Sequence, residues 1–158
     1  MLSNTTNTLE KYGKINTKDK RRKPMRFTLT ELLNAGSTKW NIDKVDIVIK
    51  RNLEDLCRKI NALGYQPPMR ATSCLRSIES QKKINPSAMG SSHCYGAAVD
   101  IADPNGLLAT WLQSIEGQRR LVECGLWMED PKSTHGKNGN WCHLQSYAPK
   151  SFNRYFKP

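Results

Sequence analysis

The chain has 158 residues, 37% of them hydrophobic, enough apolar material for one core and too little for two. Its 25 Lys and Arg against 14 Asp and Glu give a formal charge of +11, which favours a polyanionic partner such as nucleic acid, an anionic envelope polymer or an acidic protein surface. No stretch approaches the roughly 18 consecutive apolar residues that cross a bilayer, and the first thirty residues contain no apolar signal-peptide centre, so the sequence predicts a soluble protein that starts in the cytoplasm.

Residues 1–25 are polar and aperiodic and end in Lys18-Asp19-Lys20-Arg21-Arg22-Lys23-Pro24. Such a segment cannot bury enough apolar surface to order itself, so it is expected to be a basic, mobile arm, or one that orders only on a partner. The domain proper, 26–158, opens at Phe27-Thr28-Leu29-Thr30-Glu31-Leu32. Thr28 and Glu31 stand at capping-box spacing and Phe27 and Leu32 at hydrophobic-staple spacing, which predicts a short helix that stops at Gly36. Val45, Val48, Ile49, Leu53, Leu56, Ile60 and Leu63 repeat at three- and four-residue steps and predict the main core helix, closed by Gly64.

Pro67-Pro68 break the chain before a short strand candidate, Met69 to Cys74, and Asn85-Pro86-Ser87 marks a loop. Gly96 to Ala102 is small and apolar and suits a strand buried on both faces. Leu107, Leu108, Trp111, Leu112 and Ile115 predict a second amphipathic helix, interrupted near Gly117 and resuming to Gly125. Two further strands, Leu126 to Asp130 and Asn140 to Gln145, flank a polar loop from Pro131 to Gly139 and should pair antiparallel. Helices first, then strands interleaved with a helix, predict an α+β fold: a small antiparallel sheet backed by helices. The five cysteines are odd in number, widely spaced and without a C-x-x-C pair, which predicts free thiols in a reducing compartment.

His93 and Asp100 lie seven residues apart across Gly96, so a loop ending in His93 and a strand ending in Asp100 can turn both side chains toward one point. His143 lies on a later strand. One carboxylate and two imidazoles suit zinc, and three protein ligands leave the fourth tetrahedral position open, as a catalytic site requires.

The pattern Ser91-x-His93-x-x-Gly96-x-Ala98-x-Asp100, followed at a distance by Trp141-x-His143-Leu144, resembles the zinc D-alanyl-D-alanine carboxypeptidase family. That family includes phage endolysins and shares its fold with the Hedgehog signalling domain. The resemblance takes in Thr72-Ser73-x-x-Arg76-Ser77 upstream and covers about residues 26 to 146 in the right order. It implies a Hedgehog/DD-peptidase-like fold, with His93, Asp100 and His143 as zinc ligands. Arg76 and Ser91 would contact substrate, and the small Gly96 and Ala98 would let the strand pack close behind the site. Arginine binds carboxylates bidentately, which suits a substrate ending in one.

The activity implied is metal-assisted hydrolysis of D-amino-acid-containing peptide bonds in peptidoglycan, by a DD- or LD-carboxypeptidase or an endolysin-type endopeptidase. Such chemistry needs a carboxylate that takes a proton and passes it to the leaving amine. Many family members carry Glu three residues before the last His ligand, where this chain has Asn140. The nearest substitutes are Glu129 and Asp130. Alternation sends these neighbours to opposite faces. Glu129 is favoured for its reach, since Asp130, just before Pro131, suits a turn. His135 is a further candidate in the intervening loop. Cys94 and Cys142 flank two ligands and are expected to be small buried packing residues.

The basic charge fits an anionic wall. The missing signal peptide fits a phage or lysis enzyme released by other means, or one carried in a virion. The expected partners are a peptidoglycan peptide and, through the arm, a wall or virion component. Aromatic residues are not interleaved with the basic run, so nucleic acid is not expected as the main partner. The alternative is a virion or assembly protein that keeps the fold, with or without the metal, has no activity and docks through the basic arm.

Overall fold

The computed structural model describes residues 27–137 and 139–158. The expected basic arm, 1–25, lies outside them.

Helix α1, Leu29–Asn34, begins where the capping box predicts. The Thr28 hydroxyl accepts from the Glu31 amide at 3.2 Å, and the Glu31 carboxylate accepts from the Thr28 amide at 2.6 Å. Helix α2, Ile47–Asn61, starts on Asp46, whose carboxylate accepts from the Val48 amide at 2.8 Å. Asn61, at its far end, straps the entry of the domain, accepting from the Phe27 amide at 2.7 Å and donating to the Phe27 carbonyl at 2.8 Å. The apolar stripe of α2 is narrower than its sequence suggests. Leu53, Leu56 and Ile60 are fully buried, whereas Val45 precedes the helix and Val48 is 58% exposed. Each buried Leu or Ile contributes about 1.5–3 kcal/mol of transfer free energy, so these three are the main anchor of α2.

The strands are β1, Ala71–Ser73; β2, Ala98–Ala102; β3, Trp127–Glu129; β4, His135–Gly136; β5, Gly139–Gln145; and β6, Tyr155–Phe156. They form one mixed sheet in the order β1-β2-β5-β3-β6, with β4 paired to β5. The pairs β1–β2, β2–β5 and β3–β5 are antiparallel, as expected. The pair β3–β6 is parallel, so the sheet departs at one edge from the antiparallel expectation. Two residues are too few to display an alternating pattern, which is why β6 has no sequence signature.

The two faces of the central strands differ in character. Val99 and Ile101 of β2, Cys142 and Leu144 of β5 and Met128 of β3 face the core, which they share with Leu53, Leu56 and Ile60. The opposite face carries Asp100, Ala102, Trp141, His143 and Gln145. Strand β2 is therefore buried fully on one face and in part on the other, where Asp100 stands between the buried Ala98 and the half-buried Ala102.

The second amphipathic segment is two helices, α4 (Leu107–Gln113) and α5 (Ile115–Cys124), broken at Ser114 rather than near Gly117. Ser114 ends one helix and caps the next, donating to the Trp111 carbonyl at 2.6 Å and accepting from the Gly117 amide at 3.1 Å. Ile115 consequently leaves the stripe and is 90% exposed. Gly117 is needed for close approach: a Cβ there would stand 2.0 Å from the Trp111 carbonyl oxygen and 2.5 Å from Leu112 Cα. Gly117→Ala should therefore destabilise the protein by about 1–3 kcal/mol or more, since backbone cannot yield as a flexible side chain can. A denaturant melt indistinguishable from wild type would refute this account of the break.

Two helices were not legible in the sequence. Helix α3, Ile78–Ile84, capped by Ser77, buries only Gln81 and so lacks an apolar period. The segment read as a loop, Pro131 to Gly139, contains helix α6, Pro131–Thr134, and the β4–β5 hairpin. Strand β1 is shorter than the Met69–Cys74 expectation. The five cysteines are free, and both Cys94 and Cys142 are buried.

Candidate metal centre

Asp100 and His143 face one another across the β2–β5 ladder, so antiparallel register alone sets their side chains together on the polar face. Asp100 is the middle residue of β2, not its end. His93 is delivered by a 3-10 turn, Ser92–Tyr95, that closes on Gly96 with φ +69°. A Cβ at Gly96 would stand 2.8 Å from Leu53 Cγ and 2.9 Å from the Ile49 carbonyl, so a glycine is required for this turn to lie on α2.

The three side chains converge on one atom. His143 Nδ1 lies 2.8 Å and His93 Nε2 3.3 Å from Asp100 Oδ1. The rings stand edge to face with centroids 5.0 Å apart. His93 is 3% and His143 9% exposed, so little of either ring is open to bulk solvent.

The outer contacts of each ring decide what the inner nitrogens offer. His93 Nδ1 lies 2.6 Å from the Cys74 carbonyl, which can only accept, so Nδ1 carries the proton and Nε2 presents a lone pair. Gln145 donates its amide nitrogen to the Tyr147 carbonyl at 2.7 Å, and its oxygen therefore faces His143 Nε2 at 3.2 Å. His143 Nε2 donates there, and Nδ1 presents a lone pair. Two lone pairs and a carboxylate oxygen thus meet with no hydrogen of their own between them. Such a convergence requires an added proton or a cation, and the donor set of two imidazoles and one carboxylate fits a divalent metal ion.

The electrostatics agree. Burial alone would raise the Asp100 carboxyl, but the hydrogen bonds and charges of His143 and His93 outweigh it and hold the group well below the usual carboxylate range. Burial would lower His143, yet Asp100, with a smaller contribution from Glu129, pulls it above the ordinary imidazole value.

Glu129 joins this face by register. Trp127 opposes Gln145 and Met128 opposes Leu144 at the end of the ladder, and alternation past the core-facing Met128 sends Glu129 to the face of His143, close enough for their charges to interact. Burial pushes its carboxyl up, His143 offsets part of that, and the Asp100 and Asp130 charges push it further. Asp130 turns away to cap α6, accepting from the Lys132 amide at 3.0 Å. Asn140 is occupied by the hairpin: its amide donates to the Pro104 carbonyl and its oxygen accepts from the Gly136 amide, both at 3.1 Å.

Arg76 stands at the edge of the site, 3.8 Å from Asp100 Oδ2, and donates to Gln81 Oε1 at 2.7 Å and Ser73 Oγ at 3.0 Å. Ser91 begins the turn before His93, and its hydroxyl makes no capping bond. It is Ser92 that reaches inward, donating to Gln145 Oε1 at 3.2 Å.

A second group, Asp103, His135 and Cys142, lies within ligating distance. Here the carboxylate is satisfied by real donors. It accepts from the Leu108 and Ala109 amides at 3.0 and 2.9 Å, with His135 Nε2 at 3.1 Å and the Cys142 thiol at 3.5 Å. This group caps α4 and makes no comparable demand for a cation. It also occupies His135, which is thereby held beside Asp103.

Sequence reasoning missed Gln145, although it stands two residues beyond His143 on one strand and so had to share its face. Gln145→Ala should weaken binding of a divalent metal ion at this site about 10–100-fold by freeing the His143 ring. Unchanged affinity in a chelator competition would show that something else fixes the ring.

No helix among the described residues is long and apolar enough to cross a membrane. No family model matches the chain, and no curated protein does. The crystal structure of the Serratia marcescens L-Ala D-Glu endopeptidase ChiX is similar to it, with a TM-score of 0.42 and 20% identity, over 69% of this chain and 93% of the Serratia chain.

Proposed function

We propose that the protein is a zinc-dependent peptidase that hydrolyses D-amino-acid-containing peptide bonds of peptidoglycan, as a DD- or LD-carboxypeptidase or an endopeptidase of the endolysin kind. The observation that carries this reading is the convergence of His93, Asp100 and His143 on one point, with an uncommitted carboxylate, Glu129, on the same face. The substrate class and the Hedgehog/DD-peptidase-like fold are what the resemblance of the Ser91–Asp100 and Trp141–Leu144 motifs to that family implies.

Each residue has a role in the proposal. His93, Asp100 and His143 hold the ion, which when bound activates water and polarises the scissile carbonyl. Glu129 takes the proton and returns it to the leaving amine. Its raised carboxyl suits that exchange, because a base works best with a pKa near the operating pH. Asp130 serves as the cap of α6. Arg76 binds a substrate carboxylate with the donors that Gln81 and Ser73 leave free, and Ser91 lines the approach.

The test is digestion of purified peptidoglycan fragments by the zinc-loaded full chain, read by mass spectrometry. New amino and carboxyl termini at a D-amino-acid bond are expected. A protein that binds one zinc yet cuts no wall peptide would instead be the virion or assembly protein that retains the fold.

A further inference from the structure

A groove of about 450 Å³ opens beside Asp100 and runs along the polar face away from the two histidines. Its floor and walls follow from strand register. Ala102 lies two residues beyond Asp100 on β2, and it opposes Trp141, which lies two residues before His143 on β5. Residues two apart share a face and stand about 7 Å apart, so this second row is one side-chain step from the metal-binding row. Ala102 makes the floor low, and the Trp141 ring and the chain at Asn140 and Pro104 make one wall.

Arg70 forms the other wall. The Ala102 amide donates to the Arg70 carbonyl at 2.9 Å, which fixes the Arg70 backbone alongside the floor. Only two charged residues line the groove. One, Asp100, is engaged by His93, His143 and Arg76; the other is Arg70. Arg70 is exposed at the rim of the groove, and its guanidinium is complementary to a planar carboxylate laid along the small floor and the Trp141 wall, which it would bind through two parallel hydrogen bonds.

We propose that this groove is a subsite for an acidic residue of the substrate peptide, and that Arg70 selects a free carboxylate one side-chain step from the scissile carbonyl. Arg76 lies at the other row, beside Asp100, so the two arginines address different groups. The inference deepens the peptidase reading and rests on it for the position of the scissile bond. Binding can be measured without turnover.

The experiment titrates the full chain, with zinc added, with two wall stem tripeptides that differ only in the second residue, which carries a free carboxylate in one and its carboxamide in the other. Wild type is expected to bind the carboxylate form about tenfold more tightly. Arg70→Gln should bring the two within about twofold, Arg70→Lys should keep part of the preference, and Arg70→Glu should reverse it. Equal affinities in wild type, no binding of either form, or a preference that survives Arg70→Gln would each overturn the subsite. If the acidic peptide binds with this preference and neither it nor the corresponding stem tetrapeptide and pentapeptide is cut, the peptidase reading fails while the groove assignment stands. If both forms are cut with equal kcat/KM, the subsite fails and the peptidase reading stands.

Discussion

His143→Ala is expected to bind zinc about 100-fold or more weakly than wild type if the proposed ligand set is correct, because two remaining ligands cannot hold the ion against water. His93→Ala and Asp100→Ala should do the same, since all three meet at Asp100 Oδ1. In wild type, zinc at 1,000 times its Kd should add about 4 kcal/mol to stability, and that gain should vanish in the three variants. The same site predicts a pH dependence. The raised His143 value means that a proton competes with the ion at higher pH than at an ordinary imidazole, so zinc affinity should begin to fall above pH 6.5 on acidification. In the metal-free protein the sign reverses. The His143 proton stabilises the fold fully below 6.5, and this contribution is lost as pH rises through the raised value. Full zinc occupancy in His143→Ala, measured by metal analysis of the purified protein, would sink the ligand assignment.

Glu129→Gln is expected to lower kcat by about 10²–10⁴-fold with zinc retained, because the amide keeps the shape and loses the base. Asp130→Asn should leave most of the activity, since that carboxylate is occupied at the α6 cap. A stability measurement separates the two as well. Burial, with the Asp100 and Asp130 charges, makes ionised Glu129 costly in the fold, so metal-free Glu129→Gln should melt higher than wild type at pH 7. The gap should close below about pH 4.5, the ordinary glutamate value, where the wild-type carboxyl is neutral in both folded and unfolded chains. Wild-type turnover by Glu129→Gln, or its loss in Asp130→Asn alone, would move the base elsewhere.

What could be read directly from the chain was what depends on near neighbours. The Thr28–Glu31 capping box, the Leu53-Leu56-Ile60 stripe and the strand around Asp100 are local patterns, and α1, α2 and β2 form at those places. His93, Asp100 and His143 stood out as a group through the spacing of the motif, and the fold draws them to one atom. Features that depend on remote partners were not legible. The break at Ser114 rather than near Gly117 is decided by how closely one helix crosses the end of another. The parallel edge at β6 depends on where the tail returns. Glu129 and Asp130 are neighbours of equal charge, and only the β3–β5 register turns one toward His143 and leaves the other to a helix cap. The two clusters of ligating side chains look alike as residue types. They differ because Asp103 finds backbone donors at a helix start, whereas Asp100 finds two lone pairs. Periodicity and capping act over a few residues and are written in order along the chain. The state of a carboxylate depends on which donors the finished fold brings within 3 Å of it, and that is settled only when strands distant in sequence have paired.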